Sequence, residues 1–577
     1  MTYQPPVQDM LFVLQNVVGL DGLPQSGDLD ADTVGAILDE AAKLAAGVLA
    51  PLYRTGDEVG CTLHDDGRVT TPPGFKDAYK QYAQGGWNAV PFNPDHGGQG
   101  LPWVLGFAIQ EMWQGANMGF GLCPMLNQAA VEAIENHGSP EQQSEYLEKL
   151  ISGEWAGTMN LTEPHAGTDL GAIKTKAEKQ ADGSYLLKGQ KIFITYGDHD
   201  FTDNIIHMVL ARTPDAPEGI KGISMFIVPK MLADGTRNDL HCGKLEEKLG
   251  IHASPTCVMY YGDKGGAKAY LIGQENEGIK YMFTMMNNAR LSVGLQGVAL
   301  AEASYQHALD YARMRVQGTP VGGAKDAARV PIIEHEDIRR SLLSMKSQVE
   351  AARLLTYEAA KMFDLGRTGD AAAQARMDLL TPIVKAWCTD MAVEVTSTGL
   401  QIHGGMGFIE ETGAAQYYRD ARILPIYEGA NGIHGLDLTF RKILMNKGVA
   451  ASSWFDEIDA TSAKLTAYAP AQKVLRDSVS SLRAATQALM ADTPQNIAAV
   501  ATPYLRAFGL ISGAAMMARA LVAADALAEA GGDQSFCTTK RATALFYMHN
   551  ILPLCAGELA VVAGGQSTVV DFKPAQF

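Results

Sequence analysis

Apolar residues recur at helical spacing from Asp32 to Leu49, and Ser139-Pro140-Glu141-Gln142 opens a further helix downstream. There Ser139 supplies the N-cap oxygen, Pro140 fits the first helical position and Gln142 closes a capping box. Residues 1 to about 155 therefore predict a mostly helical segment, interrupted by the Pro- and Gly-rich loop Pro91 to Pro102. From about 156 to 275 the pattern changes to short, turn-bounded apolar runs such as Ile205 to Leu210 and Ile223 to Pro229, which predict strands. Asp182-Gly183 lies between two alternating runs and predicts a hairpin turn. Helical periodicity returns from 276 to about 447, with long amphipathic runs at Gln296 to Arg315 and Arg339 to Leu365 joined by the connector Gly318 to Pro331. Residues 448 to 577 are Ala-rich and helical; Thr493-Pro494 starts one helix, and Gly531-Gly532 and Gly564-Gly565 mark breaks. The longest apolar run, Ala507 to Ala518, ends at Arg519, well short of a membrane span, so none is expected.

Composition narrows the function. The 577 residues are 47% hydrophobic and 19% charged, as in an ordinary globular enzyme. A formal net charge of −17 repels phosphate backbones, which argues against a nucleic-acid partner. Basic residues do not cluster; the pairs Arg339-Arg340 and Lys540-Arg541 read as solvated surface. The seven cysteines are scattered without a Cys-x-x-Cys pair, so neither a metal site nor a disulfide framework is expected. Reduced thiols and the lack of a basic-then-apolar leader in residues 1 to 20 point to the cytoplasm.

Two stretches carry candidate chemistry. Glu428 sits in Tyr427-Glu428-Gly429-Ala430-Asn431-Gly432-Ile433, downstream of Gln401-Ile402-His403-Gly404-Gly405-Met406-Gly407-Phe408. A carboxylate beside glycine is a candidate general base, because glycine admits close approach of a substrate carbonyl or a cofactor edge. By itself, a Glu at a loop-to-helix junction more often stabilises the first helical turn through its dipole. The second stretch runs from Met159-Asn160-Leu161-Thr162-Glu163-Pro164-His165-Ala166-Gly167-Thr168-Asp169 to Lys188-Gly189-Gln190-Lys191-Ile192-Phe193-Ile194-Thr195. Hydroxyls at Thr162, Thr168 and Thr195 suit hydrogen bonding to a flat heteroaromatic ring on which Phe193 packs. The ordinary alternative is strand threonines with a core phenylalanine.

Together these stretches resemble the acyl-CoA dehydrogenase family of flavoproteins. Thr-Glu-Pro-x-Ala-Gly-(Ser/Thr)-Asp, Gly-x-Lys-x-(Trp/Phe)-Ile-Thr, Gln-Ile-x-Gly-Gly-x-Gly and Arg-Asp-Ala-x-Ile-x-x-Ile-Tyr-Glu-Gly occur in the family's order, within about residues 75 to 447. The resemblance implies an α+β fold: a helical N-terminal domain with a lead segment (1–155), a middle β-barrel domain (156–275), a C-terminal helical bundle (276–447) and an extra helical extension (448–577). It implies FAD as cofactor and α,β-dehydrogenation of an acyl-CoA thioester, with Glu428 taking the α-proton and flavin N5 the β-hydride. The flavin would be held by Met159, Leu161, Thr162, Gly167, Thr168, Phe193 and Thr195. Arg315, Gln401, Gly404 and Gly405 would reach it from a neighbouring subunit of a homodimer. Thr168, Arg290, Tyr427 and Gly429 would meet the substrate, and the backbone N–H of Glu428 would stabilise the enolate oxygen.

The chain departs from the family where Ala430-Asn431-Gly432 replaces a Thr-x-Gln run and Asn287 replaces an acid beside Arg290. An electron-transfer flavoprotein is the implied redox partner. The lead Tyr3 to Leu14 and the long tail resemble bacterial long forms, and among these the members acting on a short thioether acyl-CoA of dimethylsulfoniopropionate breakdown. Alternatives are a medium- or long-chain dehydrogenase, an acyl-CoA oxidase and a DNA-associated alkylation-response flavoprotein. The net acidity opposes the last.

Overall fold

The structure, a computed structural model, describes residues 3–27, 29–324 and 327–577. Lys325 and Asp326 of the expected connector lie outside them. In the first region the expected helix runs over Ala31–Leu44 and continues as a wider turn to Leu49, started by the Asp30 carboxylate accepting from the Thr33 N–H. Ser139 and Gln142 form the expected capping box. The Trp103–His137 helix is buried for most of its length and bends at Asn117 (φ −163°, ψ 90°), whose Oδ1 accepts from the Phe120 N–H and restarts the helix. A small antiparallel pair, β1 (Thr62–Leu63) and β2 (Val69–Thr70), precedes it.

The middle region is one eight-stranded sheet: β3 (Trp155–Asn160), β4 (Lys176–Lys179), β5 (Tyr185–Thr195), β6 (Asn204–Ala211), β7 (Ser224–Pro229), β8 (Leu240–Leu245), β9 (Thr256–Tyr261) and β10 (Ala267–Leu271). Its order is β3-β6-β7-β10-β5-β9-β8, with β4 on β5. Asp182-Gly183 makes the β4–β5 turn, Gly183 taking φ 85°. β5 is irregular between Lys191 and Ile194 against β9, and this puts Phe193 at φ 60°.

Three long helices follow: Gly278–Met314, Glu336–Arg367 and Ala371–His403. Gly294 and Gly297 let the first and third touch, since a Cβ on either would sit 2.5 Å from Val384 or the Cys388 carbonyl. The extension packs its Pro494–Glu529 helix onto this bundle, where Gly509 and Gly513 sit against Trp387. The helix continues past Arg519, and two helical stretches, Pro494–Glu529 and Gln534–Gly564, are long and apolar enough to cross a membrane. In the first, 83% of the apolar window is buried inside the fold, so packing against the bundle accounts for its composition.

A buried ionic knot joins five helices of the chain. The Arg353 guanidinium donates to Glu111 (2.7 Å), Glu302 (2.9 Å) and Asp9 (2.6 Å), and the Tyr357 hydroxyl donates to the other Glu111 oxygen. Lys540, from the extension, reaches Asp9 and Glu350. Lys540 is therefore not the solvated residue that its sequence context suggests. It is 6% exposed, because the lead segment and the extension close over the same carboxylates.

Candidate active site

Glu428 lies in the turn between the Ala414–Ala421 helix and the Asn431–Leu436 helix. It takes φ 55° and Gly429 takes φ 91°, so two successive residues are left-handed. For a non-glycine residue that conformation costs about 1–2 kcal/mol and needs external support. The support is visible. A His434 ring nitrogen donates to the Glu428 carbonyl at 3.1 Å, and Lys385 Nζ donates to the Gly429 carbonyl at 2.7 Å and to Asn431 Oδ1 at 2.9 Å. Asn431 in turn donates to the Ala386 carbonyl and the Asp390 carboxylate.

Burial raises the Glu428 pKa above its ordinary value, while the nearby Arg290 and Lys385 cations pull it down less strongly. Burial also lowers Lys385 to about 7 and His434 to about 3, so His434 is a neutral imidazole at pH 7. Arg290 is nearly buried and faces Asp437 at 3.8 Å. The Glu428 N–H finds no acceptor among the described residues, which leaves it free to donate.

Tyr427, next to the candidate base, starts a chain of buried hydrogen bonds. Its hydroxyl donates to Gln296 Oε1, Gln296 Nε2 donates to Gln114 Oε1 (3.2 Å), and Gln114 Nε2 donates to the Gly121 carbonyl (3.0 Å). The chain ends beside the bend at Asn117. Gln296 also faces the Met125 sulfur at 3.6 Å.

The second stretch assembles on the sheet. β3 ends at Asn160 with Met159 nearly buried, and Leu161 and Thr162 follow it. The Ile192 N–H donates to the Thr162 carbonyl at 2.9 Å, which brings Thr162 beside Phe193 and Thr195 on β5. Underneath lies a buried clamp. Lys191 Nζ donates to Glu163 Oε1 (2.8 Å) and to the Leu161 carbonyl (3.0 Å), and Glu163 also accepts from the Lys174 and Thr175 N–H groups and the Thr175 hydroxyl. The glutamate of one motif and the lysine of the other thus hold the two segments together.

Phe193 is 60% exposed, which rules out a core phenylalanine. Among the described residues, the hydroxyls of Thr162, Thr168 and Thr195 have no hydrogen-bond partner. Gly167 and Thr168 are exposed on the adjoining loop. An outward-facing aromatic ring bordered by unspent hydroxyls fits an isoalloxazine.

Arg315, Gln401, Gly404 and Gly405 are exposed at the C-terminal ends of the Gly278–Met314 and Ala371–His403 helices. The stacked rings of Tyr311 and His403, 4.5 Å apart, bring the ends of their two helices together. The Arg315 guanidinium has no ion pair among the described residues. Met314, Val316, Met406, Phe408 and Ile409 stand exposed around this group, with Phe408 92% exposed.

Sequence reasoning missed Glu163, Lys191, Lys385, His434, Gln296 and Gln114. One signal was available. On β5, Tyr185, Leu187 and Lys191 share the inward face by period two, and a charge on a buried face demands a partner.

Comparison with known proteins agrees. Four family profiles match in order: "Acyl-CoA dehydrogenase, N-terminal domain" over residues 32–154, "middle domain" over 158–263, "C-terminal domain" over 276–442, and "Acetyl-CoA dehydrogenase C-terminal like" over 454–573. The chain is 45% identical to 3-methylmercaptopropionyl-CoA dehydrogenase of Ruegeria pomeroyi, covering 97% of each chain. It is 37% identical to a butyryl-CoA dehydrogenase of Syntrophomonas wolfei, covering 95% of this chain and 94% of that one. Among solved structures, ACDH-11 of Caenorhabditis elegans in complex with C11-CoA superposes with a TM-score of 0.78 over 99% of this chain and 96% of that one. At 20% identity it bears on the fold alone. The α+β architecture with an extra C-terminal domain, the ordered motifs and this coverage lead to one conclusion: the chain belongs to the acyl-CoA dehydrogenase family and is an FAD-dependent oxidoreductase of acyl-CoA thioesters.

Proposed function

We propose that the preferred substrate is a short acyl-CoA, 3-methylmercaptopropionyl-CoA, oxidised to methylthioacryloyl-CoA. The observation that carries this reading is the buried Tyr427–Gln296–Gln114 chain beside Glu428. Driving a long alkyl chain through it would strand buried amide and hydroxyl groups, at about 1–3 kcal/mol for each unsatisfied group. Two relatives named for short substrates support it.

In this site Glu428 takes the α-proton, and its own N–H donates to the thioester oxygen as negative charge develops there. Such a donor is worth about 3–4 kcal/mol in the transition state. FAD, when bound, would supply the two-electron oxidant for the β-hydride. Thr162, Thr168, Thr195 and Phe193 would hold the ring, and Arg290 lies near enough to the base to act on its charge. Reoxidation is assigned to an electron-transfer flavoprotein; peroxide released in step with product would assign it to oxygen instead.

Initial rates over a chain-length series with a ferrocenium dye test the substrate. The thioether acyl-CoA, butanoyl-CoA and pentanoyl-CoA should all react, because a hydrophobic pocket discriminates one methylene by only about 10- to 200-fold. Palmitoyl-CoA should react poorly. If it is the best substrate and the thioether is not turned over, this assignment fails.

The exposed apolar residues around Arg315 support a homodimer in which Arg315 meets the FAD pyrophosphate of the partner. Arg315→Ala is expected to lose FAD on gel filtration while keeping its fold. A protein that runs as a monomer by light scattering yet retains FAD would exclude this arrangement.

A further inference from the structure

The Glu428 turn is held by groups that belong to other elements. His434 holds the carbonyl of Glu428, and Lys385 holds the carbonyl of Gly429, the next peptide along. The same ammonium bonds Asn431 Oδ1, the first residue of the following helix. It therefore spans the turn and fixes its exit. Lys385 is wholly buried on the Ala371–His403 helix, and Asn431 is fastened to that helix at Ala386, Thr389 and Asp390. A fully buried ammonium is expensive unless its donors are used and a counter-charge is near. Here two donors are spent on the turn, and Glu428 and Asp390 are the acidic groups that act on it.

We propose that Lys385 is the positioning residue of the proton-abstracting turn: it pins Gly429 and Asn431 so that Glu428 keeps its left-handed conformation and faces a fixed cation. The proposal rests on Glu428 being the base. The turn is costly for a glutamate, so loss of the clamp lets Glu428 relax towards right-handed backbone and moves its carboxylate away from the α-carbon. A misplacement of about 1 Å can cost on the order of 100-fold in rate.

The charge has a separate effect. The groups facing this cluster are Glu428 on the turn, Asp390 on the lysine's own helix, and Arg290 on the Gly278–Met314 helix. His434 and Asp437 face it from the helix after the turn, while Arg422 and Arg506 face Asp390. Removing the lysine leaves Arg290 as the cation acting on Glu428, so the carboxylate is less stabilised and needs a higher pH to ionise. Glu428 and Lys385 each favour the other's charged form, against the larger effect of burial on both.

The test compares the FAD-loaded wild-type enzyme with Lys385→Met and Lys385→Gln. Butanoyl-CoA and a ferrocenium dye are used across the pH range, and flavin content and unfolding midpoint are measured in parallel. For Lys385→Met, kcat should fall by about tenfold to a hundredfold, the size expected for losing hydrogen bonds from a charged group. KM should stay within about threefold of wild type, because the lysine is placed on the turn and not on the CoA arm. Flavin content should be unchanged, and the acidic limb of the kcat profile should move to higher pH. Lys385→Gln keeps a donor without the charge, so it should recover part of kcat while its acidic limb stays displaced. Wild-type kcat and pH profile in Lys385→Met would overturn the proposal. So would a fall in kcat that tracks flavin loss with the limb unmoved in both variants. If Glu428→Gln itself turns over normally, the base assignment fails first; if it is inactive and Lys385→Met is normal, only the role of Lys385 fails.

Discussion

Glu428→Gln is expected to keep FAD, bind acyl-CoA and lose dehydrogenation by roughly 10²- to 10⁴-fold, the range for removing a general base. Glutamine nearly matches glutamate in shape and backbone preference, so the tethered turn and the free N–H should survive. What disappears is the carboxylate oxygen to which the proposed mechanism assigns the α-proton. The wild-type enzyme should show the same dependence through pH. A base at Glu428 would act only as the carboxylate, and burial raises its pKa. Activity is therefore present above that raised value and is lost as pH falls through it. Single-turnover bleaching of the flavin by butanoyl-CoA, followed in both proteins, measures the effect. Bleaching at a near-wild-type rate in Glu428→Gln would place the base elsewhere.

The second large effect concerns stability. Arg353→Met should lower the unfolding free energy by about 3–5 kcal/mol or prevent folding, because removing one partner leaves buried charge uncompensated. Three carboxylates depend on this guanidinium: Glu111, which is wholly buried, Glu302 and Asp9. Burial already raises the Glu111 pKa despite the pairing, so without Arg353 it would take up a proton more readily. Asp9 has the opposite sign. Burial opposes its charge, but Lys540 and Arg353 outweigh burial and hold its pKa well below the usual carboxylate range. Its contribution is thus present above that range and is lost as the solution is made acid. The double variant Glu111→Gln/Arg353→Met should recover part of the loss, since one stranded charge is gone. Urea unfolding of all three proteins decides the matter; a wild-type midpoint for Arg353→Met would remove the knot from any role in stability.

Much of the architecture was legible in the residue pattern because its signals are local. Ser139-Pro140-Glu141-Gln142 marks a helix start by groups that bond within one turn. Asp182-Gly183 marks a hairpin because only certain residues tolerate φ 85°. The ordered motifs around Thr162, Thr195 and Glu428 were legible for a related reason, since each is a short run whose chemistry is complete in its residue types. Lys540-Arg541 shows the limit. Two adjacent basic residues carry no information about which carboxylates will close over one of them, and Asp9 lies far away in the chain. The Thr-Glu-Pro and Gly-x-Lys motifs could be aligned, but that Glu163 and Lys191 neutralise each other depends on how the segment after β3 lies along β5. The left-handed backbone at Glu428 and Phe193, the Lys385 clamp and the Tyr427–Gln296–Gln114 chain were likewise decided by tertiary packing. Residue identity determined which groups had charge or hydrogen bonds to satisfy; only the folded chain determined their partners, because burial makes an unpaired group too costly to leave and distance in sequence sets no limit on the group that satisfies it.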